Sequence, residues 1–185
     1  MPVAWTMYFA SDDVAETTVA VREAGGAVVF DPLQVMDLGT MALAVDPSGA
    51  AFGIWQAASH IGISRYNEPG ALVWEHAIVE DSSVARDFYR RVFGFSYGPM
   101  GNDQYTFATD GAELGGIGGT GNASGEPIAP KWQLWFAVSD VEAACAAAAH
   151  TGGKVVGLPE DTPFGRQARL LDPAGAELFV LAVGP

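Results

Sequence analysis

The sequence predicts an α+β fold built from repeated β-α-β-β-β units. Two observations carry that expectation. First, the chain repeats itself. The run from Trp5 to Val14 returns as Trp132 to Val141 at an offset of 127, which also carries Gly25-Gly26 onto Gly152-Gly153 and Pro32 onto Pro159. The offset becomes 126 at Asp46-Pro47-Ser48-Gly49-Ala50 and Asp172-Pro173-Ala174-Gly175-Ala176, a change of one loop residue. A more divergent copy, Trp74 to Asp81, lies between them. Fixed spacing of this kind means duplicated supersecondary units. Second, the hydrophobic pattern changes period in the same order within each copy: a short apolar strand, a helical stretch, then β-branched and aromatic runs.

Each element has a local reason. Asp12-Asp13, Asp81-Ser82 and Ser139-Asp140 supply side chains that cap a helix N-terminus. Helices are expected over Val14–Ala24, Ser83–Phe93 and Val141–His150, each stopped by a glycine: Gly25, Gly94 and Gly152. In the first copy, strands are expected over Ala27–Phe30, Thr40–Val45 and Ala51–Trp55, separated by Pro, Gly and Asp-Pro-x-Gly turns. Connectors rich in Gly, Asn and Pro lie at Ala57–Gly70 and Gly118–Lys131.

Composition excludes several function classes. With 185 residues, 49% hydrophobic and 17% charged, the chain is globular with a real core. A net charge of −13 disfavours nucleic acid, whose phosphates require Lys and Arg. The single cysteine, Cys145, excludes an internal disulfide framework and a thiolate cluster. No basic-then-apolar leader stands at Met1, and no apolar run is long enough to span a membrane, so a cytoplasmic protein is expected.

The helix motif Phe88-Tyr89-Arg90-Arg91-Val92-Phe93-Gly94-Phe95, the Asp-Pro-x-Gly turns and the Gly-Gly pairs are similar to those of the glyoxalase/bleomycin-resistance/extradiol-dioxygenase (vicinal oxygen chelate) superfamily. The resemblance covers nearly the whole chain, and it fits the last three units of a four-unit member. It implies that paired units form a curved sheet with a cup-shaped site. It further implies metal ligands at two kinds of position. One is a His seven residues before the helix-capping acid; the other is a Glu seven residues after the Asp of Asp-Pro-x-Gly. With caps taken at Asp12, Asp81 and Ser139, the first positions hold Trp5, Trp74 and Trp132. The last-strand positions hold Gly53, Gly115 and Phe179. None offers an imidazole, carboxylate or thiolate, so neither a metal nor another cofactor is expected.

Strand alternation then puts Trp5/Met7/Phe9, Trp74/His76/Ile78 and Trp132/Leu134/Phe136 on one face of their strands, which by the resemblance lines the cup, with Tyr8, Val79 and Trp135 on the face expected to pack under the helices. The expected ligand contacts are Trp74, Trp132, Leu134, Phe179, Trp5 and Trp55, large flat surfaces suited to an aromatic or apolar molecule. Each Trp also fits a plain core position. His76 and Glu177 are the candidate catalytic groups, and a hydrogen-bonded structural His and a solvated Glu are their alternatives. Arg166 and Arg169 could meet a ligand or simply sit at the surface.

The organisation expected is a unit at 1–56 without a partner in the chain, a linker at 57–70, and paired units at 71–185 (71–117 and 131–185). An odd number of units leaves the first one over. Its apolar face predicts a homodimer through the first unit, unless that unit folds back on its own chain. Three functions compete. One is a metal-independent binder or cofactor-free enzyme acting on a small organic molecule. Another is a metal-dependent lyase or dioxygenase. The third is a structural or interaction module with a filled cup.

Overall fold

A computed structural model describes residues 3–119 and 129–183. Positions 120–128 of the expected 118–131 connector lie outside the described residues. The first repeat forms β1 (Tyr8–Ala10), α1 (Val14–Glu23), β2 (Ala27–Val35), β3 (Gly39–Val45) and β4 (Ala51–Ala57). The second forms β5 (Leu72–Val79), α2 (Ser82–Phe93), β6 (Ser96–Gly101), β7 (Gln104–Thr109) and β8 (Ala112–Gly119). The third forms β9 (Lys131–Val138), α3 (Val141–His150), β10 (Lys154–Thr162), β11 (Gly165–Leu171) and β12 (Glu177–Ala182). The β-α-β-β-β order therefore occurs three times.

The helices start at Asp13, Asp81 and Asp140. Asp13 Oδ1 accepts from the Ala15 and Glu16 amides at 2.8 and 3.0 Å. Asp81 Oδ1 takes the Ser83 and Val84 amides, and Asp140 Oδ1 takes Ala143 N at 2.9 Å. Each carboxylate satisfies amides that have no intrahelical acceptor. The Asp-Pro-x-Gly turns work by the same chemistry. Asp46 Oδ1 gathers the Ser48 and Ala50 amides, and Asp172 Oδ1 gathers those of Ala174 and Ala176. Such Asx geometry sets the last strand of the first and third repeats on its path.

The chain divides into two compact units: Met1–Trp5, Ile63–Glu75 and Gln133–Pro185 in one, Thr6–Gly62 and His76–Trp132 in the other. In the first of these, strands run in the order β10-β11-β12-β9, and β9 has the start of β5 on its other side. β12 and β9 are parallel, with Phe179 beside Trp135. β11 is antiparallel to β12, with Arg169 beside Phe179. Helix α3 covers one face, where Val141, Ala168, Leu170 and Val180 are buried.

In the other unit, a four-stranded sheet has the order β1-β4-β3-β2, and β8-β7-β6 continue from the second half of β5. Its core is aromatic: Phe9, Phe52, Phe88, Tyr89, Phe107 and Trp132 are all buried. Each such ring contributes roughly 2–3 kcal/mol by leaving water. Helices α1 and α2 meet in this unit. The expected exposed patch of Trp5, Met7, Phe9, Phe52 and Trp55 is corrected in part, since Trp5 is 45% exposed but most of the rest is not. Phe9 and Phe52 are 5% and 0% exposed, and Met7 packs against the same core. Tyr8, Val29, Phe30 and Leu33 are large exposed apolar side chains of that repeat's sheet. Among the described residues, strand β1 is an edge strand, paired on one side only, to β4.

Candidate functional site

The face of each first strand follows from the residue that caps the next helix. Counting back from Asp13 and Asp140, instead of Asp12 and Ser139, moves the frame of the first and third repeats by one residue. A one-residue slip exchanges the two faces of a strand. Phe9 accordingly turns into the core and Tyr8 out of it. In the third repeat, Leu134 is buried and Trp132 sits in the aromatic core of the unit formed by Thr6–Gly62 and His76–Trp132. Trp135, expected under the helix, lies on the Phe179 face instead. The second repeat, whose cap is Asp81 as expected, keeps its predicted faces: Ala77 and Val79 are in the core, which puts Trp74, His76 and Ile78 on the opposite side.

The third-repeat face opposite α3 carries an open cavity of about 330 Å³. Its lining includes Val156, Gly157, Leu158, Gln167, Arg169 and Phe179. The wall from β10 exists because that strand bulges between Val156 and Glu160. Gly157 takes φ +78° there, a left-handed value that an L side chain resists. Leu158 stands 89% exposed beside it.

An ordered set of polar groups surrounds the rings. Phe179 stacks on Trp135 at a centroid distance of 4.5 Å. Trp135 Nε1–H donates to Gln167 Oε1 at 3.2 Å, and Gln167 Nε2–H donates to Glu160 Oε1 at 2.8 Å. Arg169 Nη2 donates to Glu177 Oε2 at 2.7 Å. Gln133 Nε2 donates to the other Glu177 oxygen at 3.3 Å. Glu177 thus points to the Phe179 side, as strand parity requires. Arg166 is held elsewhere, by Glu142 and Asp161. Arg169 is the guanidinium at the cavity.

The other expected site residues have these places. Trp132 Nε1–H donates to the Tyr89 hydroxyl at 3.0 Å, and that hydroxyl donates to Asp46 Oδ2 at 3.1 Å. Burial first, then the Asp46 carboxylate, hold the Tyr89 phenol well above its ordinary pKa. Trp132 is therefore a core anchor, a correction to its expected ligand role. Leu134 likewise faces away from Phe179. Trp55 donates to the His60 carbonyl at 2.8 Å and closes its own loop. Trp5 sets its ring edge against Phe136. Trp74 is half-buried.

His76 bonds the Gln104 side chain, and burial lowers its pKa to about 4, so it is a neutral imidazole at pH 7. His76 and Glu177 fall in different compact units. One buried acid escaped the sequence reading. Glu75 is 3% exposed, and burial raises its pKa to about 7, opposed by a hydrogen bond with Tyr66. Its position beside Trp74 on a strand gave no sequence signal of burial.

The donor set can be tested against a divalent metal. With the observed caps, the first-strand positions hold Thr6, Trp74 and Gln133, and the last-strand positions Gly53, Gly115 and Phe179. Among these only Gln133 and Thr6 carry a side-chain oxygen, and Thr6 lies in the other compact unit from Gln133. Among the described residues no group of three or more His, Cys, Asp or Glu side chains converges. The residues do not fit the metal centre that the fold family implies.

Comparison with known proteins names the class. The description "Glyoxalase/Bleomycin resistance protein/Dioxygenase superfamily" matches residues 71–179, and the chain belongs to this superfamily. It is 37% identical over 98% of its length to the anthracycline biosynthesis protein DauV of Streptomyces sp. (strain C5), of which it spans 66%. It is 37% identical over its whole length to the putative glyoxylase CFP32 of Mycobacterium tuberculosis, spanning 72% of that protein. Among solved structures, the Mn(II)-bound glyoxalase from Novosphingobium aromaticivorans matches with a TM-score of 0.64 at 16% identity, over 95% of this chain and 61% of that one. The 2,3-dioxygenase LapB from Pseudomonas sp. KL28 matches with a TM-score of 0.61 at 14% identity, over 96% and 71%. These two share the fold. Among the described residues, no helix is long and apolar enough to cross a membrane.

Proposed function

We propose that this chain is a metal-independent member of the superfamily that binds a planar aromatic or apolar organic molecule in the third-repeat cavity, as a sequestering protein or a cofactor-free enzyme. One observation carries the reading: Phe179, backed by the stacked ring of Trp135, lines an open cavity together with Gln167 and Arg169. A flat apolar wall with a few fixed polar groups is the usual make-up of a small-molecule site. The open volume argues against a cup filled by its own side chains. The name of the Streptomyces relative, an anthracycline biosynthesis protein, is in keeping with an aromatic ligand. A cytoplasmic location is part of the proposal.

Metal dependence is the rival, favoured by the names of the glyoxalase and dioxygenase relatives and disfavoured by the donor set above. Elemental analysis of purified protein separates them. We expect less than a tenth of an equivalent of Zn, Fe, Mn or Ni, an order-of-magnitude bound for a chain without a ligand set. One tightly held equivalent, lost in Glu177→Ala, would overturn the proposal.

We further propose that the chain assembles as a homodimer through its first repeat. The outer edge of β1 is unpaired, whereas its repeat-equivalent β9 has strands on both sides. The exposed Tyr8, Phe30 and Leu33 lie on the same sheet as that edge.

A further inference from the structure

Resting on the reading above, we propose that the third-repeat cavity selects an uncharged planar aromatic ketone, with Arg169 as the specificity-determining residue that donates to the carbonyl oxygen. The internal repeat supplies the comparison. The offset of 126 places Arg169 on Leu43, Gln167 on Met41 and Glu177 on Ala51, and 127 places Trp135 on Tyr8. The register agrees: Arg169 pairs with Phe179 as Leu43 pairs with Gly53. The same backbone sites are thus apolar in one repeat and polar in the other. The fold does not require a guanidinium at that place. A partly exposed Arg–Glu pair adds little to stability, so Arg169 has no strong structural reason to be there.

Charge decides what Arg169 can receive. Glu177 already neutralises it through Nη2. Glu160 adds an exposed carboxylate at the same wall through Gln167. The chain as a whole carries −13. An anionic ligand would meet a local excess of negative charge. An apolar ligand would cover a guanidinium whose remaining N–H donors it cannot satisfy. A neutral carbonyl oxygen accepts from Arg169 without adding charge. The ring system to which it is attached lies against Phe179, the aromatic ring of the cavity lining. A cavity of about 330 Å³ suits a ring system of about two fused rings.

The test uses three probes of one size: 2-acetyl-1-naphthol, 2-ethylnaphthalene and 1-hydroxy-2-naphthoate. Binding to the full chain is followed by calorimetry. We expect the ketone to bind about ten-fold more tightly than either of the others, the scale of one hydrogen bond from a charged donor. In Arg169→Leu, which copies the first repeat, that preference should vanish while the ethyl compound binds as before. Arg169→Gln, which keeps a donor, should retain part of it. Tightest binding of the naphthoate, or an unchanged ketone preference in Arg169→Leu, overturns the inference and leaves the aromatic site standing. If no probe binds, or if binding ignores Phe179→Ala, the underlying site is refuted as well.

Discussion

Trp135 and Phe179 lie nearly parallel, 20° between planes and 4.5 Å between centroids, on adjacent parallel strands. The two residues are 44 apart in sequence, and the β9–β12 register alone brings them together. Strand neighbours on one face present their side chains in a row, so Trp135 stacks behind Phe179 and backs the wall that Phe179 gives the cavity. Trp135 is fixed further by its bond to Gln167.

That wall gives the first prediction. Phe179→Ala removes half of the stack and should weaken an aromatic ligand by about 1–2 kcal/mol, the worth of a ring contact plus part of its area. Trp135→Phe keeps an aromatic ring behind Phe179 but loses part of the ring area and the bond to Gln167, and should cost less. Trp132→Ala should instead lower the unfolding midpoint, because that ring is core. Binding titrations alongside urea denaturation check all three. A Trp132 variant that loses ligand without losing stability would contradict the assignment of faces.

A second prediction concerns the buried Asp46–Tyr89–Trp132 chain. Tyr89 is 1% exposed and its hydroxyl serves two partners. Tyr89→Phe leaves Asp46 Oδ2 and Trp132 Nε1 without that partner inside the core. The expected loss is about 1–3 kcal/mol, read from chemical denaturation. A loss below about 0.5 kcal/mol would show that water or a rearranged carboxylate replaces the hydroxyl.

Glu75 makes stability depend on pH. Tyr66 Oη lies 3.0 Å from Glu75 Oε2 and 3.2 Å from the Val73 carbonyl. The Tyr66 hydroxyl donates to Glu75 Oε2, which favours the charged carboxylate, but burial outweighs it. The folded pKa, about 7, is above the ordinary 4.5. The folded chain therefore keeps a proton that the unfolded chain has released between those values. This contribution is full below pH 4.5 and is lost as pH rises through 7. By linkage it amounts to something on the order of 3 kcal/mol. His76 slopes the other way, since its neutral form is favoured and its contribution is lost as pH falls from 6.5 towards 4. Glu75→Gln should remove the decline above pH 5 and leave the acid-side loss intact. Unfolding free energies measured from pH 4 to 8 test this, and an unchanged slope in the variant would refute it.

The repeat, the three helices and the superfamily were legible because they rest on local signals: caps, glycine stops and a fixed offset. The side of the third repeat on which Trp135 lies was not. Ser139-Asp140 and Asp12-Asp13 each offer two adjacent capping side chains, and nothing local chooses between them. The choice is made by which carboxylate reaches the first amides of the helix. One residue of error there exchanged Trp135 for Trp132. Glu177 and Phe179 share a face as strand parity expects, because their frame starts from Asp172, where only one acid is available. The Tyr89–Asp46 bond joins different repeats, so no signal within one repeat could announce it.

Assembly is the last prediction. In β1, Met7 O and Ser11 N bond to β4. The alternation of a strand then turns the Tyr8 and Ala10 backbone groups towards the open edge. An unpaired edge beside exposed apolar side chains is a template for another strand. Pairing with β1 of a second copy would satisfy both edges by one two-fold contact. We expect a dimer by sedimentation at low micromolar concentration. Ala10→Pro removes an outward N–H and adds a ring at the edge without touching the β4 ladder. It should yield a folded monomer, with far-ultraviolet circular dichroism unchanged. Leu33→Glu should weaken the dimer through the apolar face and leave the edge intact. A wild-type chain that sediments as a monomer would end this proposal, as would a dimer indifferent to both substitutions. In either case the β1 edge would not be the contact.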